Sequence, residues 1–375
     1  MTKRIFYYVQ HLLGIGHLAR ASHVAQAMVR HGMQVTMITG GAQVEGFPGP
    51  GVDHVALPGI RAGNAGFSGL TDLAGTPVDD AFKDRRRDLL IAAYHAARPD
   101  VVMIEAFPFG RRQVRFELIP LLEEIHRQPS RPKVISSVRD ILQERGRLDR
   151  DRETLTYADR YFDHILVHGD PNFIRLGDTF PFADELASKT LYGGIVAAPL
   201  PPPAPDRFDI VVSAGGGAVG AAMLAVAAGA ILLLPASLTW CLIGGVNLPH
   251  PDFARLQAAM PPNATLTRFR TDFGGLLRNA TLSVSQAGYN TVCDVLQAGC
   301  RSLLVPFGGG GETEQTLRAT RLNYLDLAHV LFEADLSPAS MATAIETALA
   351  APSPRSHTLD LQGADHAARL VATLA

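Results

Sequence analysis

SVSQAGYNTVCDVLQAGCRSLLVPFGGGGETEQTLRA, residues 283–319, is the stretch on which the fold turns. It opens at the end of an apolar strand, 281–284, which gives out at Ser285, Ala287 and Gly288. Val292, Val295 and Leu296 then give 290–297 the period of a helix with one buried face, and Gly299 is placed to cap its carboxyl end. Residues 302–306 form a second apolar strand, and the glycines of 308–311 lead into another helix at Glu312. Strand, helix, strand and helix in succession imply a parallel sheet with two helix N-termini at one edge. Each N-terminus offers unpaired N–H groups and a positive dipole end to an anion.

The same alternation runs through the first half. Residues 4–9 form a β-branched and aromatic strand, followed by HLLGIGHLARASHVAQAMVRHG. Leu18, Ala21, Val24, Ala25 and Met28 give 17–30 a helical period, Gly32 caps it, and 34–39 returns as a strand. The loop 11–16 therefore lies at the carboxyl edge of the sheet, where open α/β sheets bind ligands. His17 stands at the helix start, where the dipole favours the neutral imidazole that a general base needs. A histidine that caps its own loop is the other reading of this position. Strand 101–104 ends at Glu105, and Arg111 and Arg112 follow in FPFGRR. Glu105 either orients His17, acts as the base itself, or pairs with one of those arginines. Strands 134–138 and 164–167 end in Arg139-Asp140 and His168-Gly169-Asp170, the repeating pattern of a doubly wound sheet. Residues 61–80 lack periodicity and read as a loop near the ligand edge.

AAPLPPPAPD, 197–206, has too many prolines to continue a helix or sheet and marks a boundary. After it, 208–213 reads as a strand and Gly215-x-Gly217-x-x-Gly220 matches the dinucleotide fingerprint. No acidic residue occurs between Gly220 and Asp252 to hold a ribose, which makes a dehydrogenase the weaker reading. Asp149-Arg-Asp151 has the form of a metal-binding D-x-D but sits in a charged helical run, RGRLDRDRETL, and reads as a solvated face. No other carboxylate or histidine cluster has ligand spacing, so no metal and no cofactor are expected.

At 375 residues, 47% hydrophobic and 19% charged, the chain is long enough for two globular domains. A net charge of −2 gives no reason to expect nucleic acid. Cys241, Cys293 and Cys300 are an odd number without CxxC spacing, as suits a reducing, cytoplasmic compartment. The amino-terminal apolar run is short and broken by Gln10 and His11, and reads as a strand in place of a signal peptide. The apolar stretch 221–246 contains Pro235, Ser237 and Thr239 and reads as an alanine-rich helix, a turn and a strand, 239–243, in place of a membrane span.

SQAGYNTVCD with LLVPF and ETEQ resembles the donor half of the GT-B glycosyltransferases, in particular the group of the lipid-II-forming N-acetylglucosaminyltransferase with its family 28 C-terminal domain. GIGHLAR resembles the first loop of the same group and also a nucleotide-sugar hydrolase of pseudaminic acid synthesis, while FPFGRR, SVRDIL and VHGDP resemble a further bacterial branch of it. The resemblance implies an α/β fold of two Rossmann-like doubly wound domains facing each other across a cleft. Residues 1–200 would bind the acceptor, 206–354 the donor, and a last helix, 355–375, whose leucines, alanines and valines keep helical spacing from His357, would cross back to the first domain. It places Gly14, Gly16, Ser213, Gly215, Gly216, Gly217, Ser285, Gln286, Gly288, Asn290 and Thr291 on phosphate-facing loops. Phe269 and Arg270 fall at the nucleotide base, Asp294 at the ribose, and Glu312, Glu314 and Gln315 at the donor sugar. Three departures bear on the sugar: Glu314 for the family's first Gln, a Gly for the His before the run, and Arg318 for an Asn behind it. The implied activity is metal-independent, inverting transfer from a nucleotide sugar, UDP-linked by the family default, with His17 or Glu105 as base. A hydrolase or epimerase on the same fold is the alternative. The partners implied are the donor and a small-molecule, glycan or lipid-linked acceptor, which leaves peripheral membrane contact open.

Overall fold

A computed structural model describes residues 2–12, 16–63, 69–143, 146–215, 220–352, 354 and 357–374. The chain divides into two compact units, Met1–Val196 with Leu359–Ala375, and Ala197–Thr358. The first unit runs β1 (Arg4–Val9), α1 (Gly16–Arg30), β2 (Gln34–Thr39), β3 (Asp53–Ala56), β4 (Ile60–Ala62), β5 (Leu70–Asp72), α2 (Asp80–Ala97) and β6 (Val101–Glu105). It continues with α3 (Arg115–His126), β7 (Lys133–Arg139), α4 (Leu148–Tyr161), β8 (His164–His168) and β9 (Thr190–Tyr192). Its main sheet has the order β3-β2-β1-β6-β7-β8-β9 and is parallel throughout, while β4 and β5 form a separate hairpin.

Strands of such a sheet are apolar on both faces, and β1 shows why. Ile5, Tyr7 and Val9 pack on one side with α1, and Phe6 and Tyr8 on the other with Leu90 and Tyr94 of α2 and Leu118 and Leu122 of α3. The α2–α3 side also holds a fully buried ion pair: Arg86 donates to both oxygens of Glu117, at 2.8 and 2.7 Å. The same guanidinium reaches Gln10 Oε1 and the carbonyls of Gly40 and Pro58, and Tyr8 donates to Glu117.

The second unit runs β10 (Ile210–Ser213), α5 (Ala221–Ile231), β11 (Trp240–Ile243), α6 (His250–Ala258), β12 (Ala264–Thr267), α7 (Phe273–Asn279), β13 (Leu282–Ser285) and α8 (Tyr289–Ala298). It ends with β14 (Arg301–Leu304), α9 (Glu314–Tyr324), β15 (His329–Val330) and α10 (Pro338–Ala350). Its sheet is again parallel, ordered β12-β11-β10-β13-β14-β15. Val212, Leu242 and Val284 face α5 and α10, and Val211, Cys241 and Ile243 face α7 and α8. The proline-rich segment packs on α7, with Ala204 N–H donating to Gly275 O and Arg278 to Pro201 O.

The last helix, α11 (Gly363–Leu374), is part of the first unit and lays Ala367, Ala368 and Val371 against the core formed by β1 and α1. Helical spacing begins at His357 in the sequence, but the helix starts only at Gly363, because Val196 bridges Gln362 and Asp360 accepts from the Gln362 N–H. Among the described residues, no helix is long and apolar enough to cross a membrane.

Candidate active site

In the first unit the strand order reverses direction between β1 and β6, and there the carboxyl edge opens. Glu105 is the last residue of β6 and His17 lies in the first turn of α1, directly after β1. His17 Nδ1 is 2.8 Å from Glu105 Oε1. A carboxylate can only accept, so Nδ1 carries the hydrogen and Nε2 keeps its lone pair. Glu105 is 0% exposed and also accepts from Arg20, from Tyr7 Oη at 3.1 Å and from Ser137 Oγ at 2.7 Å. His168 Nε2 lies 2.8 Å from that same serine hydroxyl and completes the network.

Burial alone would raise the Glu105 pKa, but the Arg20 charge, followed by His17 and His168, holds it well below the usual carboxylate range. Burial and the Arg139 charge push His17 down to about 3 against the pull of Glu105, with Arg111 adding to the fall. Burial and Arg20 push His168 to about 3. The neutral His17 expected from its place on the helix is thus held by desolvation and two guanidinium groups. Arg111 adopts a left-handed backbone at φ 57°, donates from Nε to Gln10 O at 2.8 Å, and is pushed down to about 10 by burial and by Arg139. Glu105 pairs with Arg20 instead of with Arg111 or Arg112, and Arg112 pairs with Glu153. The sequence carried one signal for Arg20: it follows His17 by three residues, one turn along the same helical face. Gly16 opens α1, and Gly14 lies outside the described residues. Asp149 sits on the exposed first turn of α4 and pairs with Arg147.

In the second unit the reversal falls between β10 and β13. Ser213 ends β10, and its Oγ accepts from Gly215 N–H at 3.3 Å. Gly215 has φ 66° and open space where a Cβ would stand; Gly216 and Gly217 lie outside the described residues. Ser285 ends β13, fully buried, its Oγ without a hydrogen-bond partner among the described residues. Gln286 N–H reaches back to Ser213 O at 3.4 Å, tying the two loops together. Gly288 is the N-cap of α8, with no side-chain cap and open space above its Cα. Asn290 and Thr291 stand in the first turn, and Asp294 is half-buried farther along, its carboxyl pushed up to about 6 by burial.

The two N-termini of this edge are not equivalent, contrary to the reading from spacing. α9 begins at Glu314, two residues later than expected, because Glu312 Oε1 accepts the Glu314 N–H at 2.7 Å and takes the place of an anion. Gln315 Oε1 accepts from Phe307 N–H at 3.2 Å, which leaves its amide NH₂ directed elsewhere. Glu314 pairs with Arg318 at 2.9 Å. Phe269 is 61% exposed just beyond β12, whereas the Arg270 side chain is held by both oxygens of Asp272 and by Asp206. Among the described residues no group of three or more His, Cys, Asp or Glu could hold a metal ion.

Residues 245–370 match the Glycosyltransferase family 28 C-terminal domain. The chain is 30% identical over 357 residues, 91% of its own length and 74% of the relative's, to the UDP-N-acetylglucosamine--N-acetylmuramyl-(pentapeptide) pyrophosphoryl-undecaprenol N-acetylglucosamine transferase of Xanthomonas axonopodis pv. citri. It is 31% identical over 114 residues to the Agrobacterium fabrum protein of the same name, spanning 30% of each, and covers less than half of two further such relatives. In structure it is similar to Acinetobacter baumannii MurG, with a TM-score of 0.64, 16% identity and 99% of both chains covered, so the fold is GT-B. By its extended match to the Xanthomonas relative and its family 28 domain, the chain belongs to this family of glycosyltransferases.

Proposed function

We propose that the protein transfers a sugar from a nucleotide-sugar donor to an acceptor hydroxyl with inversion, His17 acting as the general base. The single observation that carries this reading is the bond from His17 Nδ1 to the buried Glu105 carboxylate, which leaves Nε2 as a free proton acceptor. Glu105, enclosed and saturated by four donors, orients the ring and does not itself take the proton. The second unit binds the donor: Ser213, Gly215 and the open turn at Gly288 receive the diphosphate, Asp294 the ribose, and Gln315 a sugar oxygen. Preorganised amides at a helix N-terminus stabilise the departing diphosphate without a metal. We take the donor to be UDP-N-acetylglucosamine, in keeping with the names of the relatives. The acceptor is a lipid-linked diphosphate sugar whose anionic group meets Arg111. Neutralising that guanidinium raises the proton affinity of His17, so acceptor binding itself makes the base stronger.

A thermal-shift comparison of UDP, GDP, dTDP, NAD and UDP-N-acetylglucosamine tests the donor half. Saturation at a hundredfold excess over Kd stabilises by about 2.7 kcal/mol, well above detection. A shift with UDP and its sugar is expected; a shift with NAD alone would overturn the reading. Turnover that releases UDP and free sugar with no acceptor present would make the protein a hydrolase.

The raised Asp294 pKa sets a pH dependence. The carboxylate accepts the ribose hydroxyls, so binding favours the ionised form, and below about pH 6 the free protein must first lose a proton. UDP affinity is expected to fall about tenfold for each pH unit below that value and to level off above it. Asp294→Asn should bind more weakly with no such slope; a slope that persists in the variant assigns the titration to another group.

A further inference from the structure

Arg318 is 1% exposed, and its two terminal nitrogens go to different places. Nη2 donates to Glu314 Oε1, one turn back on α9, while Nη1 donates to the carbonyl oxygen of Ala287 at 2.9 Å, in the loop between β13 and α8. The guanidinium also lies over the ring of Tyr289, the first residue of α8, at 5.6 Å. One side chain thus spans from the helix that carries Glu314 and Gln315 to the loop that opens α8.

The Ala287 carbonyl shares its peptide with the Gly288 N–H. A charged donor on the oxygen draws electron density along that peptide and increases the positive charge on its hydrogen. Gly288 is the N-cap of α8, uncapped by any side chain and open above its Cα. Three residues before it stands the Ser285 hydroxyl, buried and without a hydrogen-bond partner among the described residues.

We infer that Arg318 is a positioning residue for the diphosphate, acting through the Ala287–Gly288 peptide to fix and charge the anion-binding turn of α8. This rests on the donor-site reading above. The guanidinium need not touch the ligand: it holds the loop in register with α9 and supplies, through one peptide, positive charge that adds to the helix dipole. Glu314, engaged with Arg318, is thereby a part of the same device and not a free carboxylate for the sugar.

The test is calorimetric titration of the intact protein with the nucleoside diphosphate it binds best among UDP, GDP and dTDP, and with the matching nucleoside. Arg318→Met is expected to weaken the diphosphate about tenfold or more while leaving the nucleoside within about twofold, since only the phosphates use the charged peptide. Arg318→Lys should recover part of the difference, because an ammonium keeps the charge but reaches one partner. Equal loss for both ligands would mean a merely structural role and overturn the inference, as would unchanged diphosphate affinity. If the methionine variant fails to fold, the lysine variant decides: a reduced diphosphate-to-nucleoside affinity ratio supports the inference and an unchanged ratio overturns it. Failure of the unsubstituted protein to bind any nucleoside diphosphate would instead overturn the donor-site reading, and the inference with it.

Discussion

Replacement of His17 by alanine is expected to lower kcat by about 10²–10⁴-fold, the range that a positioned general base contributes, while leaving nucleotide affinity within about twofold. The separation follows from the fold: His17 belongs to the first unit, whereas Ser213, Gly215, Gly288, Asp294 and Gln315, the groups proposed to hold the donor, belong to the second. The pH profile of the unsubstituted protein gives an independent check. With a pKa of about 3 in the free protein, His17 stays neutral from pH 8 down to pH 5, so kcat/KM for the acceptor at saturating donor should be flat across that interval where an ordinary imidazole would lose activity below pH 6.5. The donor KM should rise below about pH 6 through Asp294. Near-normal kcat in His17→Ala would remove His17 from the mechanism, and an acid limb near pH 6.5 in kcat/KM for the acceptor would show that the ring is not held neutral. Glu105→Gln is a weaker test, since it also leaves Arg20 buried without its carboxylate.

The largest stability effect is expected at Arg86. Its pair with Glu117 is wholly buried, and the guanidinium also satisfies Gln10, Gly40 and Pro58. Arg86→Met leaves the Glu117 carboxylate uncompensated, which costs about 3–5 kcal/mol, a large part of the roughly 5–15 kcal/mol by which domains are stable. Arg86→Met combined with Glu117→Leu should lose less than Arg86→Met alone, because removal of both charges avoids the stranded ion. The sole tryptophan, Trp240, lies in the second unit, so its fluorescence reports on the wrong half. Hydrogen exchange of the β1 and β6 amides in urea is the suitable measurement. Loss of protection there, with β10 and β13 unaffected, is expected; a loss under about 1 kcal/mol would refute the account.

The alternation of strands and helices was readable because each strand of a parallel sheet is apolar on both faces and each helix has one apolar stripe. His17 and Glu105 were readable because both stand at strand or helix ends, where polar residues interrupt an apolar run. Their companions were not. Tyr7 and Ser137 come from β1 and β7 and meet at Glu105 only because the sheet sets β6 between those strands, and His168 of β8, the next strand, joins through Ser137. Local periodicity carries no record of which strands pair. The start of α9 was misplaced for a different reason: Glu312 looks like a first-turn acid, but its side chain bonds the helix from outside. Arg270 was placed at the nucleotide base by resemblance alone, and spacing gave no sign that its side chain would be held by Asp272 and by Asp206 from the proline-rich segment. The link from Arg318 to Ala287 joins residues 31 apart in sequence through a backbone oxygen, which no side-chain pattern encodes.

The first unit is closed by α11, which follows the second unit in the chain. Loop closure over so long an insertion adds little equilibrium cost, since each doubling of length costs only about 0.6 kcal/mol. Timing is affected more. A nascent chain that has emerged as far as residue 358 carries every strand and helix of the second unit, while the first still exposes the surface against which Ala367, Ala368 and Val371 will pack. The first unit therefore completes its packing only after the whole of the second unit has been synthesised.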